Sequence, residues 1–237
     1  MKVSVIIPAY NEGGRIRETI DKLQKHLAQG AYDYEILVVD DKSSDNTVDA
    51  VKSTGLTPVC LPQNRGKGGA VKRGVKAATG DVIIFTDADL PYDLSLIEES
   101  IVHIGQGADL AIGSREGTGY EAYGLVRRIS SAAFSFITNL LLHLGINDTQ
   151  CGFKAFSARA AHMIFQRVTI DGFGFDAEAL FIAKKLGLRI EKVAAYMKAP
   201  PVGSSVSPLR DGVTMLNSLF LVVKNDKQGL YAPGKEK

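Results

Sequence analysis

Over its first 115 residues the chain alternates between two hydrophobic rhythms, and this alternation limits its possible folds more than any other feature. Short runs at 3–7, 35–39, 57–61, 82–86 and 109–112 are apolar on consecutive positions, as strands buried on both faces must be. Between them, 14–27, 45–53, 68–78 and 94–104 carry helical patterns. In the first of these, Ile16, Ile20, Leu23 and Leu27 fall at helical spacing. Asp45-Asn46-Thr47 supplies capping chemistry for the second, and Thr79-Gly80 ends the third. Two-faced strands separated by helices predict an α/β fold with a mostly parallel central sheet flanked by helices.

The texture changes after about residue 115. Residues 116–124 are Gly-rich and polar and read as a mobile loop. Residues 127–144 read as a helix with Arg127, Ser131, Ser135 and Thr138 on one face and Ile129, Ala133, Phe136, Ile137, Leu140 and Leu144 on the other. Strands are predicted at 152–157 and 189–196, and helices at 158–166, 175–186 and 209–224. A flexible tail is expected over 226–237. The expected organisation is one domain over 1–225. Residues 1–115 form its first half, and 116–225 form a C-terminal cap built on the same sheet.

Composition excludes several classes. A net charge of +2 provides no general field for nucleic acid. Cys60 and Cys151 are far apart and lack a CxxC partner, so neither a disulfide framework nor a zinc site is expected, and a reducing compartment fits. The N-terminal MKVSVIIPAYNE reads as a first strand rather than a signal peptide, its apolar run being short and lacking a cleavage site. No segment reaches the roughly 20 apolar residues that span a bilayer. Residues 129–147 lack Asp, Glu, Lys and Arg but carry several hydroxyls, and 215–223 is too short. Both read as interfacial or core.

In open α/β sheets ligands gather at the carboxyl ends of strands. Here the strands run into Pro8-Ala9-Tyr10-Asn11-Glu12, Asp40-Asp41-Lys42-Ser43-Ser44-Asp45, Asn64-Arg65-Gly66-Lys67-Gly68-Gly69, Asp87-Ala88-Asp89 and Gly113-Ser114-Arg115. Asp87 and Asp89 close a buried strand one residue apart. Neighbouring carboxylates repel and are costly to desolvate, and oxygen-only ligands suit Mg²⁺ or Mn²⁺. A metal held by only two protein groups keeps positions open for phosphate oxygens. The NRGKGG segment resembles a phosphate cradle, although alone it reads equally as a Gly-rich turn, and it is not a Walker A motif. Asp40-Asp41 alone would be a helix-cap loop.

VSVIIPAYNE, EILVVDDKSSDNT, NRGKGGAVKRGVKAATGD and FTDADLP resemble, in order, the motifs of family 2 glycosyltransferases with the GT-A (Rossmann-like) fold. GSR, RRISSAAFSFITN, DTQCGFKAF and FGFDAEALFIAKKLG resemble the polyprenyl-phosphate sugar synthases within that family. DTQCGFK is more similar to the glucosyl than to the mannosyl branch. The resemblance covers about residues 3–212.

The resemblance implies roles. Pro8, Tyr10, Glu12 and Asp41 would hold base and ribose, with Asn64, Lys67 and Gly68 along the nucleotide and Asp87, Ala88 and Asp89 at ribose and metal. The cation, Mg²⁺ or Mn²⁺, would stabilise the diphosphate leaving group. Where mannose synthases often carry a glutamine after this motif, Pro91 stands here, so ligands beyond Asp87 and Asp89 stay open, with water or Asp93 as substitutes. The implied acceptor, a polyprenyl monophosphate, is already an anion and needs cations to position it more than a base. Arg115, Arg127, Ser131 and Arg210 are the candidates, Arg127 and Ser131 being four apart on one helix. Lys154 could serve the donor or the acceptor phosphate. Asp148 could bind sugar hydroxyls, orient a cation or act as base. Gln150, Asp176 and Glu178 join the sugar side, although carboxylates on a first helical turn also favour the macrodipole. Cys151 reads as a packed small residue.

The implied reaction is inverting transfer of a hexose, glucose from UDP-glucose, to a polyprenyl or dolichyl phosphate, giving a β-linked product. GDP-mannose as donor and a soluble acceptor are the alternatives. A non-catalytic nucleotide-sugar-binding scaffold would not need the aspartate pair and the arginines. A nucleotidyltransferase would need a Gly-rich basic loop where this chain has PAYNE. The expected location is the cytoplasmic face of a membrane, held peripherally, with a membrane-protein partner or self-association left open.

Overall fold

The computed structural model describes residues 1–116, 125–146, 148–196 and 208–232. The strands are β1 (Lys2–Ala9), β2 (Asp33–Asp40), β3 (Val59–Cys60), β4 (Val82–Phe85), β5 (Leu110–Glu116), β6 (Lys154–Ser157) and β7 (Ile190–Tyr196). The helices are α1 (Ile16–Leu27), α2 (Thr47–Lys52), α3 (Gly66–Ala77), α4 (Ser95–Gly105), α5 (Leu125–Leu142), α6 (Ala158–Phe165), α7 (Phe175–Lys185) and α8 (Pro208–Lys227). The strands form one seven-stranded sheet in the order β3-β2-β1-β4-β6-β5-β7. β1 pairs in parallel with β2 and β4, β2 with β3, and β5 with β7.

The α/β expectation holds, with one refinement. β6 runs antiparallel to both of its neighbours, β4 and β5. A four-residue run such as Lys-Ala-Phe-Ser carries no direction in its sequence. Its partners are fixed by the gap that β4 and β5 leave between them.

Side chains alternate across the strands and feed two cores. Val3, Val5 and Ile7 of β1, with Val82 and Ile84 of β4, face α1 and α4, joining Ile16, Ile20, Leu23 and Leu27. Ile6, Ile83 and Phe85 face the other side, against Val71 and Val75 of α3, Phe156, and Leu180 of α7. Apart from the buried Ser4 and Glu35, to which its hydroxyl donates at 2.6 Å, the polar groups of β1, β2 and β4 lie at or just beyond the strand ends.

The C-terminal part departs from the expected tail. α8 continues to Lys227, and Tyr231 beyond it is fully buried in the second core. Glu116, the first residue of the loop expected at 116–124, ends β5; residues 117–124 and 233–237 lie outside the described residues.

Candidate functional site

β4 delivers Asp87 and Asp89 to the sheet edge. Asp87 Oδ1 is 2.6 Å from Lys67 Nζ. The backbone at Gly152 lies against the other oxygen. A Cβ at 152 would sit 1.8 Å from Asp87 Oδ2, so any side chain there would push the Asp87 carboxylate out of this position. The Gly152 N–H in turn donates to the Tyr92 hydroxyl at 3.0 Å. Asp89 Oδ1 is buried and has no hydrogen-bond partner. Burial and the neighbouring Asp87 push its carboxyl above the ordinary range. Leu90, directly after it, takes φ 42°, a left-handed conformation that bulky side chains rarely adopt.

An orphaned carboxylate oxygen beside a second carboxylate fits a divalent cation. Among the described residues no cluster of three or more His, Cys, Asp or Glu offers a complete cage. The donor set is therefore two carboxylates with the remaining positions free for other oxygens.

Glu12, after β1, looks toward the same field. Burial, opposed by the Arg15 guanidinium 3.0 Å away, and then the charges of Asp89 and Asp87 raise its carboxyl. The loops after β1 and β2 are stitched together. The Asn11 N–H donates to Ser43 Oγ at 2.9 Å, and the Ser44 N–H donates to Asn11 Oδ1 at 2.8 Å. Tyr10 stands 51 % exposed beside them, with Pro8 pairing Val39 at the strand end. Ala88 instead turns its methyl into the core, and its carbonyl accepts from the Thr19 hydroxyl of α1 at 2.5 Å.

The start of α3 is clamped from two sides. The Asp41 carboxylate accepts from the backbone N–H groups of Arg65 and Gly66, both at 2.7 Å, and Asn64 Nδ2 donates to the Asp41 carbonyl at 3.1 Å. Burial raises Asp41's carboxyl despite those bonds. On the opposite side Asp171 pairs with the Arg65 guanidinium through Nε (2.9 Å) and Nη2 (2.5 Å), and its carbonyl accepts from the Gly69 N–H at 3.0 Å. Gly66 has φ 82°, and a Cβ there would lie 2.8 Å from the Asp171 carbonyl oxygen. One at Gly68 would meet Ile170 O and Phe175 at 2.7 Å.

Behind this edge lies a second ion pair. Lys154 is 0 % exposed. Its Nζ donates to Asp176 Oδ1 at 2.6 Å and to the Cys151 carbonyl at 2.9 Å, and sits 5.4 Å from the centroid of the Phe85 ring. Lys67 is 5.9 Å from the same ring centroid. Burial would lower the Lys67 ammonium, but Asp87 and Asp176 outweigh it and hold it well above the ordinary lysine range.

Arg115 and Asp148 form a bidentate pair, with Nε to Oδ2 at 2.7 Å and Nη2 to Oδ1 at 2.8 Å. The Arg115 N–H adds a third bond at 3.1 Å. Burial alone would raise Asp148, but these bonds hold it below the usual carboxylate range. Of the three roles open to Asp148 in the sequence, the geometry matches orientation of a cation. Cys151 is buried, its thiol pushed up to about 11 by burial, in keeping with a packed rather than a reactive sulfur.

Other candidates are dispersed. Gln150 donates to Met215 Sδ at 3.7 Å. Glu178 is fully buried, and its oxygens accept from the Thr169 and Ile170 N–H groups and from the Thr169 and Tyr231 hydroxyls. This is a structural knot apart from the aspartate pair. The side chains of Arg127, Ser131 and Arg210, on α5 and α8, lie outside the described residues. Three supporting residues were missed in the sequence: Thr19, Tyr92 and Asp171. Thr19 had a signal, as a hydroxyl within an otherwise apolar helix face.

The family model "Glycosyl transferase family 2" matches residues 4–165. Dolichyl-phosphate beta-glucosyltransferase of Dictyostelium discoideum is 34 % identical, over 88 % of this chain and 72 % of its own length. The Drosophila melanogaster protein of the same name is 33 % identical, over 94 % and 74 %. Among solved structures, mannosyl-3-phosphoglycerate synthase from Rubrobacter xylanophilus superposes with TM-score 0.76 at 19 % identity, covering 100 % of this chain and 77 % of that one. Glucosyl-3-phosphoglycerate synthase from Mycobacterium tuberculosis, in complex with Mn²⁺, UDP and glucosyl-3-phosphoglycerate, gives 0.71 at 22 % identity, covering 96 % and 80 %.

Proposed function

This chain belongs to glycosyl transferase family 2, and from that membership we propose that it is an inverting hexosyltransferase. It moves glucose from UDP-glucose to a polyprenyl or dolichyl phosphate and leaves a β-linked lipid-phosphate sugar. The observation that carries the reading is the buried, partnerless Oδ1 of Asp89 beside Asp87, at the same sheet edge as Lys67 and the start of α3. Carboxylates left unsatisfied next to a cation and a helix N-terminus suit a metal–diphosphate substrate.

Asp87 and Asp89 would hold Mg²⁺ or Mn²⁺, which when bound supplies charge neutralisation for the departing UDP. Lys67 adds a permanent cation to that side, since Asp87 and Asp176 keep it protonated. The stitched loops after β1 and β2, with Tyr10 exposed between them, hold the base and ribose. On the acceptor side no proton need be removed, because a lipid phosphate attacks as an anion. Asp148 suits this chemistry: the bidentate Arg115 keeps it ionised and turned toward the guanidinium. Arg115, Arg127 and Arg210 then supply positioning charge.

The lipid reaches the site along α5 and α8, which pack together. Phe136 (69 % exposed) and Leu140 of α5, with Val213, Phe220 and Leu221 of α8, present apolar surface to solvent. No described helix is long and apolar enough to cross a membrane. In this reading the chain rests peripherally on the cytoplasmic face of a membrane by these two helices.

The test incubates the purified chain with Mn²⁺, radiolabelled UDP-glucose or GDP-mannose, and either a polyprenyl phosphate or 3-phosphoglycerate. Label entering the lipid fraction from UDP-glucose supports the reading. Label entering only the soluble acceptor rejects the lipid, and transfer only from GDP-mannose rejects the sugar.

A further inference from the structure

Glu178 is a buried carboxylate that the proposed chemistry does not use. Among the described residues no cationic side chain pairs with it, so five hydrogen bonds carry its whole charge. Oε1 accepts from the Tyr231 hydroxyl at 2.6 Å, the Thr169 hydroxyl at 2.6 Å and the Thr169 N–H at 3.0 Å. Oε2 accepts from the Ile170 N–H at 2.8 Å and shares the Thr169 N–H. Asn225 of α8 closes the knot, donating to Thr169 Oγ1 at 2.9 Å and to the Tyr231 hydroxyl at 3.2 Å. An apolar residue of similar shape would fill this space without the cost of burying a charge. The carboxylate's distinctive effect is to fix the backbone at 169–170.

That backbone runs directly into the clamp on α3. Ile170 O and Asp171 O are the groups against which Gly68 and Gly66 pack without side chains. The Asp171 carbonyl receives the Gly69 N–H, and Lys72 Nζ donates to the Val168 carbonyl at 2.6 Å. From the far side, a Cβ on Gly174 would lie 2.3 Å from Ser218 Cβ of α8. A continuous path of hydrogen bonds and close packing thus links the C-terminal segment, through Glu178 and 168–171, to the first turn of α3.

We propose that Glu178 and Tyr231 are positioning residues for the nucleotide diphosphate, holding the start of α3 in its anion-ready geometry from a C-terminal segment that never touches the ligand. The ligand's identity rests on the function proposed above; the mechanical link does not.

The experiment uses Tyr231→Phe. It removes one hydroxyl and leaves the ring packed edge-on against Phe181, 5.9 Å between centroids. UDP with Mn²⁺ is titrated calorimetrically, and amide exchange is followed by mass spectrometry across 64–72 and 222–232. Exchange at 64–72 should quicken well below the melting temperature, and the UDP Kd should rise severalfold, with the acceptor KM unchanged. Faster exchange confined to 222–232, or native UDP affinity despite faster exchange at 64–72, overturns the proposal. Should the variant fail to fold, Asn225→Ala loosens the same knot from its rim and must give the same pattern in weaker form. If the native protein binds no UDP, the functional reading fails, and exchange at 64–72 alone decides the coupling.

Discussion

Two buried carboxylate regions treat the same chemistry in opposite ways. At the end of β4, Asp89 keeps one oxygen without a partner and sits beside a like charge. At the first turn of α7, Glu178 is fully buried, yet both of its oxygens are occupied by backbone or hydroxyl donors. Asp89 is half-buried and Glu178 fully buried, so burial alone would leave the Glu178 carboxylate the more frustrated of the two. The difference lies in satisfaction: the frustrated carboxylate has capacity left for a ligand, and the satisfied one has spent its capacity on the fold.

The largest expected effect comes from removing the frustrated group. Asp89→Ala should lower turnover by roughly 10²-fold or more, in keeping with loss of charge stabilisation at a reacting centre, and abolish Mn²⁺-dependent UDP binding. The melting temperature should stay level or rise, because a buried repulsion goes with it. A steady-state assay with a parallel melt reads both, and a large drop in stability would erase the contrast. The opposite pattern is expected at the other carboxylate. Glu178→Ala should cost about 3 kcal/mol in denaturant unfolding, since buried donors lose their acceptor.

A smaller effect sharpens the comparison at the carboxylate paired with Arg115. Asp148 is held below its ordinary range, so its contribution is complete at neutral pH and fades as acid protonates it, below about pH 4. Asp148→Asn should cost about 1–3 kcal/mol at pH 7 and progressively less as pH falls through that region, in urea melts at several pH values. Its turnover should show no new basic limb; a pH–rate profile that lost a titration with this variant would restore Asp148 as a base. The smallest effect is at Thr19→Val, which removes only the hydroxyl holding the Ala88 carbonyl. About 1 kcal/mol is expected in a melt, together with a modest loss of Mn²⁺ affinity.

The frustrated region was the more legible of the two. Asp41, Asp87 and Asp89 directly follow apolar strands, and Lys67 opens the helix after the third strand, so the chain order alone puts them at one edge. α1 was equally plain, because Ile16, Ile20, Leu23 and Leu27 all point inward. The satisfied region was opaque. Glu178 meets Tyr231 across 53 positions, in a segment whose polar and Gly-rich composition read as tail. The direction of β6 was hidden for a related reason: pairing depends on which strands are left with free edges, and no local pattern encodes that. Arg115 and Asp148 are both legible as candidates, but the bidentate bond between them, which matches the cation-orienting role among the three open to Asp148, is a long-range fact.

The reversed β6 has a consequence for how the protein is made. β4, which carries the aspartate pair, meets β1 on one side but waits for residues 154–157 on the other. β5 waits for those and for β7 as well. A chain emerging from the ribosome through residue 116 therefore holds its strand-end loops while two apolar edges stay bare. The strand that delivers Lys154 fills the gap between β4 and β5, so the sheet under the aspartate pair is complete only with residues from the C-terminal part of the chain.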